Sequence, residues 1–571
     1  MKTIVKRCIA LFLASVMVFA LAGCKKDNKE GSETPTAAIT KEPLNSGNNA
    51  TPTAAPTQEP DATPEVTPEA TPEATPEATP GISFDETVIP IATKTYYDSN
   101  WDYDANERKG WYSFDYPVVA KDYQKVYPEL TKMFESFYQN RVDSAAGKMQ
   151  EIVESVPDAD EGQEPYRYED MTVTRSDTGL ICLSYYSDYY LSGEHGSCYS
   201  SSICIDPITL KDVTLKDIVK DRDAFIDYVY DYVTEGEEPD EFIDFDGIRQ
   251  YIENSYDEDF LNFEVGYNYL TVVFNPYELK ASPYDQIHVY IPFKGHENLF
   301  KDRYLSHAEN YIVRMDNDRS ITTDLGDDGL VDYVAIYGGY NEYEDIDGLT
   351  FYLNNVPIPK GFDLEYAAYD LDCAYIHANG KDYIYVTYWH DSDDDSTNIY
   401  RIDINPDGYD EDTCTYGDIV QVSDSGLDFD EKATYDPMYM PMSLRTDVMG
   451  TDFCRMHYSM GDDGDIHKAD DFYTFYGYDS DGGKITLKDK MTFVKVDASG
   501  NAGDETVLEG GTKLNKYRTD LNTYVDFFLD GEIVRLPIMR KYDSQDENYW
   551  MYVTMDGDYL YQLFDGLNFA D

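Results

Sequence analysis

The chain has 571 residues, with 45 Lys and Arg against 111 Asp and Glu, a net charge of −66 and a pI near 4.2. It is too long for one ordinary domain, and with 42% hydrophobic and 15% aromatic residues it can fill at least two cores, which excludes wholesale disorder. The charge excludes nucleic acid as a partner, because polyanion binding rests on neutralising phosphates with Lys and Arg.

Lys2, Lys6 and Arg7 make a basic start, followed by an apolar run from Cys8 to Leu21 that is too short for a comfortable membrane span. It ends in Leu21-Ala22-Gly23-Cys24, which resembles the lipobox of bacterial lipoproteins. The resemblance implies a signal peptide over 1–23, cleavage before Cys24, and lipidation of Cys24 as the membrane anchor. Removal of residues 1–23, which carry three basic and no acidic side chains, would leave a net charge of −69. The expected location is the outer face of the bacterial cell membrane.

Residues 24–81 comprise that cysteine and a tract rich in Thr, Pro, Ala and Glu, with Thr-Pro-Glu-Ala recurring from Thr67 through Pro80. Proline every four residues blocks helix, and nothing apolar of any size is present to build a core. The tract is expected to be an extended linker reaching at most roughly 175 Å at about 3.1 Å per residue, enough to carry a domain into the cell wall. Residues 82–110 read as further linker or as an edge segment.

From 111 to 300 the pattern is mixed. Pro128 suits a first helical turn, and Leu130, Phe134, Phe137, Met149, Ile152 and Val156 recur at helical spacing. Strands are predicted around Met171 to Arg175, Leu180 to Tyr190 and Cys198 to Asp206. The glycines of Ser192-Gly193-Glu194-His195-Gly196-Ser197 suit a hairpin turn between the last two. A short amphipathic helix is marked by Phe225, Tyr228, Val229 and Tyr232.

Tyr190, Gly193, His195 and Gly196 match a Tyr-x-x-Gly-x-His-Gly hairpin, and Asp206 to Ile218 match a turn followed by a Thr-Leu-x-Asp-hydrophobic run. Phe263, Leu270, Phe274, Tyr277, Pro283 and Tyr284, with Ile291-Pro292-Phe293, match two final strands. In this order they resemble the extracytoplasmic domain shared by lysozyme-sensing anti-sigma-V factors and the N-terminal region of peptidoglycan deacetylases. Asp285-Gln286 depart from the small residues usual in that family. The resemblance covers roughly a third of the chain and implies an α+β ectodomain that recognises lysozyme or cell-wall glycan.

It does not imply the family's other activities. Sigma-factor control needs a cytosolic segment and a membrane helix, whereas the apolar run here reads as a cleaved signal. Deacetylation needs an Asp-Asp pair and metal-binding histidines in His-x-x-x-His spacing, which the eight histidines do not offer. As a candidate site, Gly193, His195 and Gly196 divide between ligand contact and hairpin structure. For His195, hydrogen bonds that fasten the loop to backbone are the expected role.

From 301 to 571 helical periodicity fades and short aromatic strands alternate with Gly and Asp turns, giving a mostly β, acidic region with propeller blades or a barrel as its candidate forms. Asp324-Leu325-Gly326-Asp327-Asp328-Gly329-Leu330-Val331-Asp332 resembles a calcium loop, which makes Asp324, Asp328 and Asp332 the candidate ligands. Gly326 occupies the third ligand position and Ala335 the twelfth, so the alternative is an acidic turn that starts a strand. Apart from Cys8 and Cys24, the cysteines are expected as buried thiols. A register that sets Cys182 opposite Cys204 would bring their sulfurs together, and a slip of one residue would separate them.

There is no Gly-x-Ser-x-Gly elbow, no His-Glu-x-x-His, no phosphate-binding glycine loop and no Cys-x-x-Cys. The expected function is therefore a non-catalytic surface binding module for lysozyme or wall glycan. The alternative is an enzyme that modifies envelope polysaccharide with carboxylates of the β-rich region.

Overall fold

A computed structural model describes residues 87–568 except 103–106, 156–163, 192–195, 283–285, 316–318, 342–344, 355, 358–361, 391–396, 404–418, 424–426, 430, 478–483 and 543–549. The expectations for the signal segment, Cys24, the linker, Gly193 and His195 lie outside the described residues. So do those for Pro283 to Asp285.

The first sheet has six strands: β1 (Ile91–Asp102), β2 (Glu107–Val119), β3 (Tyr166–Ser176), β4 (Ile181–Tyr190), β5 (Ser197–Asp206) and β6 (Lys211–Asp212), in that spatial order. Every neighbouring pair is antiparallel except β2 and β3. A parallel pair needs a long crossover, and the helix Pro128–Ser155 supplies it. Leu130, Phe134, Ala145, Met149 and Ile152 form the buried stripe of that helix. They pack on Tyr112, Phe114, Met171, Val173, Leu183 and Tyr185 from one face of the sheet. The segment read from sequence as linker or edge contributes β1 and the first residues of β2 at the sheet's edge.

The other face of the sheet is covered along only part of its length. The helices Arg222–Thr234 and Ile248–Asp257 and a three-stranded antiparallel sheet of β7 (Asn262–Val265), β8 (Tyr269–Phe274) and β9 (Ile287–Pro292) share one core with Leu180, Cys182 and Cys204. Asp221 caps the first of these helices by accepting from the Ala224 N–H at 3.1 Å. Polar seams join the layers: Thr174 donates to the Val265 carbonyl at 2.9 Å and Ser184 to Glu264 at 2.6 Å.

The second half is built of two further sheets. Nine strands form the first: β10 (Tyr311–Arg314), β11 (Ser320–Thr323), β12 (Asp332–Tyr340), β13 (Ile346–Leu353), β14 (Val356–Pro357), β15 (Phe362–Ala378), β16 (Lys381–His390), β17 (Thr397–Asp403) and β18 (Ile419–Ser423). Thirteen strands between Leu427 and Asp565 form the second, and its core takes in Ile376, Tyr383 and Tyr385 of the first. This is the expected α+β region followed by a β-rich region. Of the forms suggested for the β-rich part, the barrel is corrected: the described strands run as two large sheets, and neither closes on itself.

The described residues all fall within one compact unit, 84–571. Within that unit the chain's two halves are bolted together. Thr434 donates its N–H to the Ile91 carbonyl at 2.9 Å, and its hydroxyl accepts from the Ile91 N–H at 3.0 Å. Arg175 and Asp177, both fully buried, pair at 2.9 Å, and Arg175 also donates to the carbonyls of Tyr304, at 2.8 Å, and Ser306. That ties the first sheet to the segment leading into β10.

Candidate functional site

Strand alternation sends every second residue of β1–β5 away from the long helix. On that side the register sets Tyr97 opposite Ser113 and Trp111 opposite Tyr166, then Tyr166 opposite Tyr190 and Tyr168 opposite Asp188. The result is a row of rings across four strands. Centroid separations are 6.2 Å from Tyr97 to Trp111, 5.5 Å from Trp111 to Tyr166 and 6.4 Å from Tyr166 to Tyr190. A second row runs from Trp111 to Tyr168 at 6.0 Å and from Tyr168 to Tyr186 at 6.3 Å. Rings inside a row spend their faces on one another, so free faces belong to its ends. The ends that are most open are Tyr97, 52% exposed, and Tyr186, 39% exposed.

Charged groups fix this surface from several sides. Asp188 accepts from the Tyr166 hydroxyl at 3.2 Å and the Tyr168 hydroxyl at 3.4 Å. Desolvation and the Asp188 charge push the Tyr168 phenol upward, so it stays a protonated donor. Arg108 forks onto Glu164 at 2.6 and 3.0 Å, donates to the Tyr97 hydroxyl at 2.9 Å, and lies 5.6 Å from the Trp111 ring centroid. On the helix side, Arg141 pairs with Glu169 and stands 4.7 Å over Phe114 and 5.4 Å over Tyr185. The sheet beneath the rows is therefore held by packing and charge on its opposite face.

Gly196 is the described member of the hairpin site. A Cβ there would stand 3.0 Å from the Tyr189 carbonyl, so it supports close strand return after β4.

Asp324, Asp328 and Asp332 lie on one turn, but their oxygens are engaged with the chain itself. Asp324 accepts from the N–H groups of Asp328, at 2.9 Å, and Gly329, at 3.0 Å. Asp328 accepts from the Leu330 N–H at 2.8 Å, and Asp332 from the Leu325 N–H at 3.2 Å and Asn354 at 2.6 Å. Gly326 and Gly329 have φ of 68° and 84°, the left-handed region that such a tight turn requires. Burial pushes the Asp324 carboxyl up to about 7 and the Asp332 carboxyl up to about 6.

Asp382 at the start of β16 holds the turn in place by accepting from the Gly326 N–H at 2.8 Å. It also accepts from the Tyr375 hydroxyl and meets His377 Nδ1, both at 2.7 Å. These bonds keep the Asp382 carboxyl below the usual range although burial opposes it. Calcium takes six to eight oxygens. Among the described residues no group of three or more His, Cys, Asp or Glu side chains is arranged to hold a metal ion.

The aromatic rows are the feature that motif reading missed. Their signal is alternation: Trp111 with Ser113, Tyr166 with Tyr168, and Tyr186, Asp188 and Tyr190 each fall on one face of a strand.

No protein-family model matches the chain, and no curated protein matches it. Two solved structures of DUF3298 family proteins are similar to part of it. One, from Pseudomonas aeruginosa PAO1, is 13% identical and covers 38% of this chain and 97% of its own, with a TM-score of 0.27. The other, from Bacteroides fragilis, is 14% identical and covers 38% of this chain and 96% of its own, with a TM-score of 0.23.

Proposed function

We propose that the protein is a non-catalytic binding module of the bacterial envelope, anchored through lipidated Cys24 to the outer face of the cell membrane and carried into the wall by its linker. The aromatic face of the first sheet is its ligand surface, and the ligand is cell-wall glycan or a wall-directed cationic protein such as lysozyme. The observation that carries this reading is the pair of ring rows, built on strands and ending in the exposed Tyr97 and Tyr186.

Tyr and Trp combine an apolar ring with a hydrogen-bonding edge. A sugar ring, with apolar C–H faces and a rim of hydroxyls, is the complement of such a surface. Lysozyme is served by a different property. The chain's acidity draws any basic protein at long range, which raises association rates without locating a site.

Binding to peptidoglycan fragments and to lysozyme at physiological salt separates the two, because the Debye length there is about 8 Å and diffuse attraction fades. A specific site keeps micromolar affinity under those conditions, whereas an unrelated basic protein lets go. Turnover of the fragments during the same titration would favour the enzymatic alternative. For the anchor, Cys24→Ser is expected to send the protein into the medium, and its retention on washed cells would contradict lipid attachment.

A further inference from the structure

The hairpin that carries Tyr186, Asp188 and Tyr190 also carries two cysteines in register. Cys182 of β4 is paired directly with Cys204 of β5. Direct partners on antiparallel strands have Cα atoms about 4.5 or 5.5 Å apart, and both spacings lie within the range a disulfide spans. The two sulfurs are 2.9 Å apart, and both residues are buried. Cys198, on the same face of β5, lies six residues from Cys204, roughly 20 Å along the strand, and cannot compete for either partner.

We propose that Cys182 and Cys204 are joined by a disulfide wherever the chain folds under oxidising conditions, clamping the hairpin beneath the aromatic face. The oxidant is a disulfide, either a small molecule such as oxidised glutathione or a thiol–disulfide exchange protein. One cysteine thiolate attacks it, forming a mixed disulfide and releasing one thiol. The second cysteine gives up its proton, attacks the protein sulfur of the mixed disulfide and expels the other thiol. Two S–H bonds are lost and one S–S bond forms, and the external disulfide takes up the two electrons and two protons.

The fold also sets the order of events. Val265 closes over the pair, its N–H 3.2 Å from the Cys182 sulfur. Burial, reinforced by the neighbouring Cys182, pushes the Cys204 thiol well up, so in the finished fold there is little thiolate to react. Exchange therefore precedes closure of the β7–β9 layer, and the same layer then shields the bond from reductant.

The test is to refold the full chain in a glutathione redox buffer, alkylate it, and cleave after Glu194 and Tyr199 without reduction. The fragment holding Cys182 is expected to stay joined to the fragment holding Cys204 until a reductant is added. Cys198→Ser should leave that link intact, and Cys182→Ser should abolish it. Alkylation of both Cys182 and Cys204 in the refolded wild type would overturn the proposal. The same map on protein taken from cells bears on the envelope placement. A bond formed on refolding but absent there would contradict export to an oxidising compartment, not the geometry of the pair.

Discussion

The aromatic face of the first sheet and the Asp324–Asp332 turn are both dense in polar and aromatic groups, and they are built in opposite senses. On the turn, carboxylate oxygens point back at the chain and are taken up by the N–H groups of Leu325, Asp328, Gly329 and Leu330. On the sheet, the rings stack on one another and on Arg108, while the rows end in solvent at Tyr97 and Tyr186. In a chain with 111 acidic residues, a cluster of carboxylates says little by itself. What separates the two is that the turn's oxygens are spent on its own backbone, whereas the outer ring faces of Tyr97 and Tyr186 are open to solvent.

The largest break is expected where the first sheet is tied to the segment leading into β10. Asp177→Ala strands a fully buried Arg175 without its counter-charge and should cost about 3–5 kcal/mol, read as a fall in the denaturation midpoint. Asp324→Ala comes next. It removes the acceptor of the part-buried Asp328 and Gly329 N–H groups and should cost about 1 kcal/mol by the same measurement.

Asp324→Asn sharpens the point, because it keeps an acceptor and removes the charge. The Asp324 carboxyl, at about 7 against an ordinary 3.8, favours the folded state while protonated. Its contribution is complete below about pH 4 and is lost as pH rises through about 7. The wild type should therefore lose stability over that window, and the Asn variant should show a flatter profile. An unchanged profile would mean that Asp324 is ionised throughout. The smallest effect on stability is expected at the open ends of the rows, where Tyr97→Ala and Tyr186→Ala should each cost at most about 1 kcal/mol, the loss of one ring contact on a half-exposed side chain.

Much of the local structure was legible in the sequence. The periodicity of Leu130, Phe134, Met149 and Ile152 marked the buried stripe of the long helix, and the turn glycines with the flanking aromatic runs marked β4 and β5. The β1 segment was harder to read because Lys94, Asp98, Ser99 and Asn100 interrupt its aromatic residues, as suits an edge strand. The aromatic face was not legible as a motif. Trp111 meets Tyr166 only because β2 and β3 pair in parallel across the helix, and no local period encodes a contact over that separation. Likewise, the spacing of the Asp324 turn signalled oxygen ligands, but that Asp382 and the backbone would share its hydrogen bonds depends on a strand hairpin far along the chain.

The most direct test of the aromatic face is to titrate wild type and the Tyr97→Ala/Tyr186→Ala double variant with peptidoglycan fragments, and separately with lysozyme, at physiological salt. The double variant should lose about ten-fold or more in affinity for the ligand that wild type binds, while remaining folded. Equal affinity of the two proteins for that ligand would contradict the assignment of this face as the binding surface.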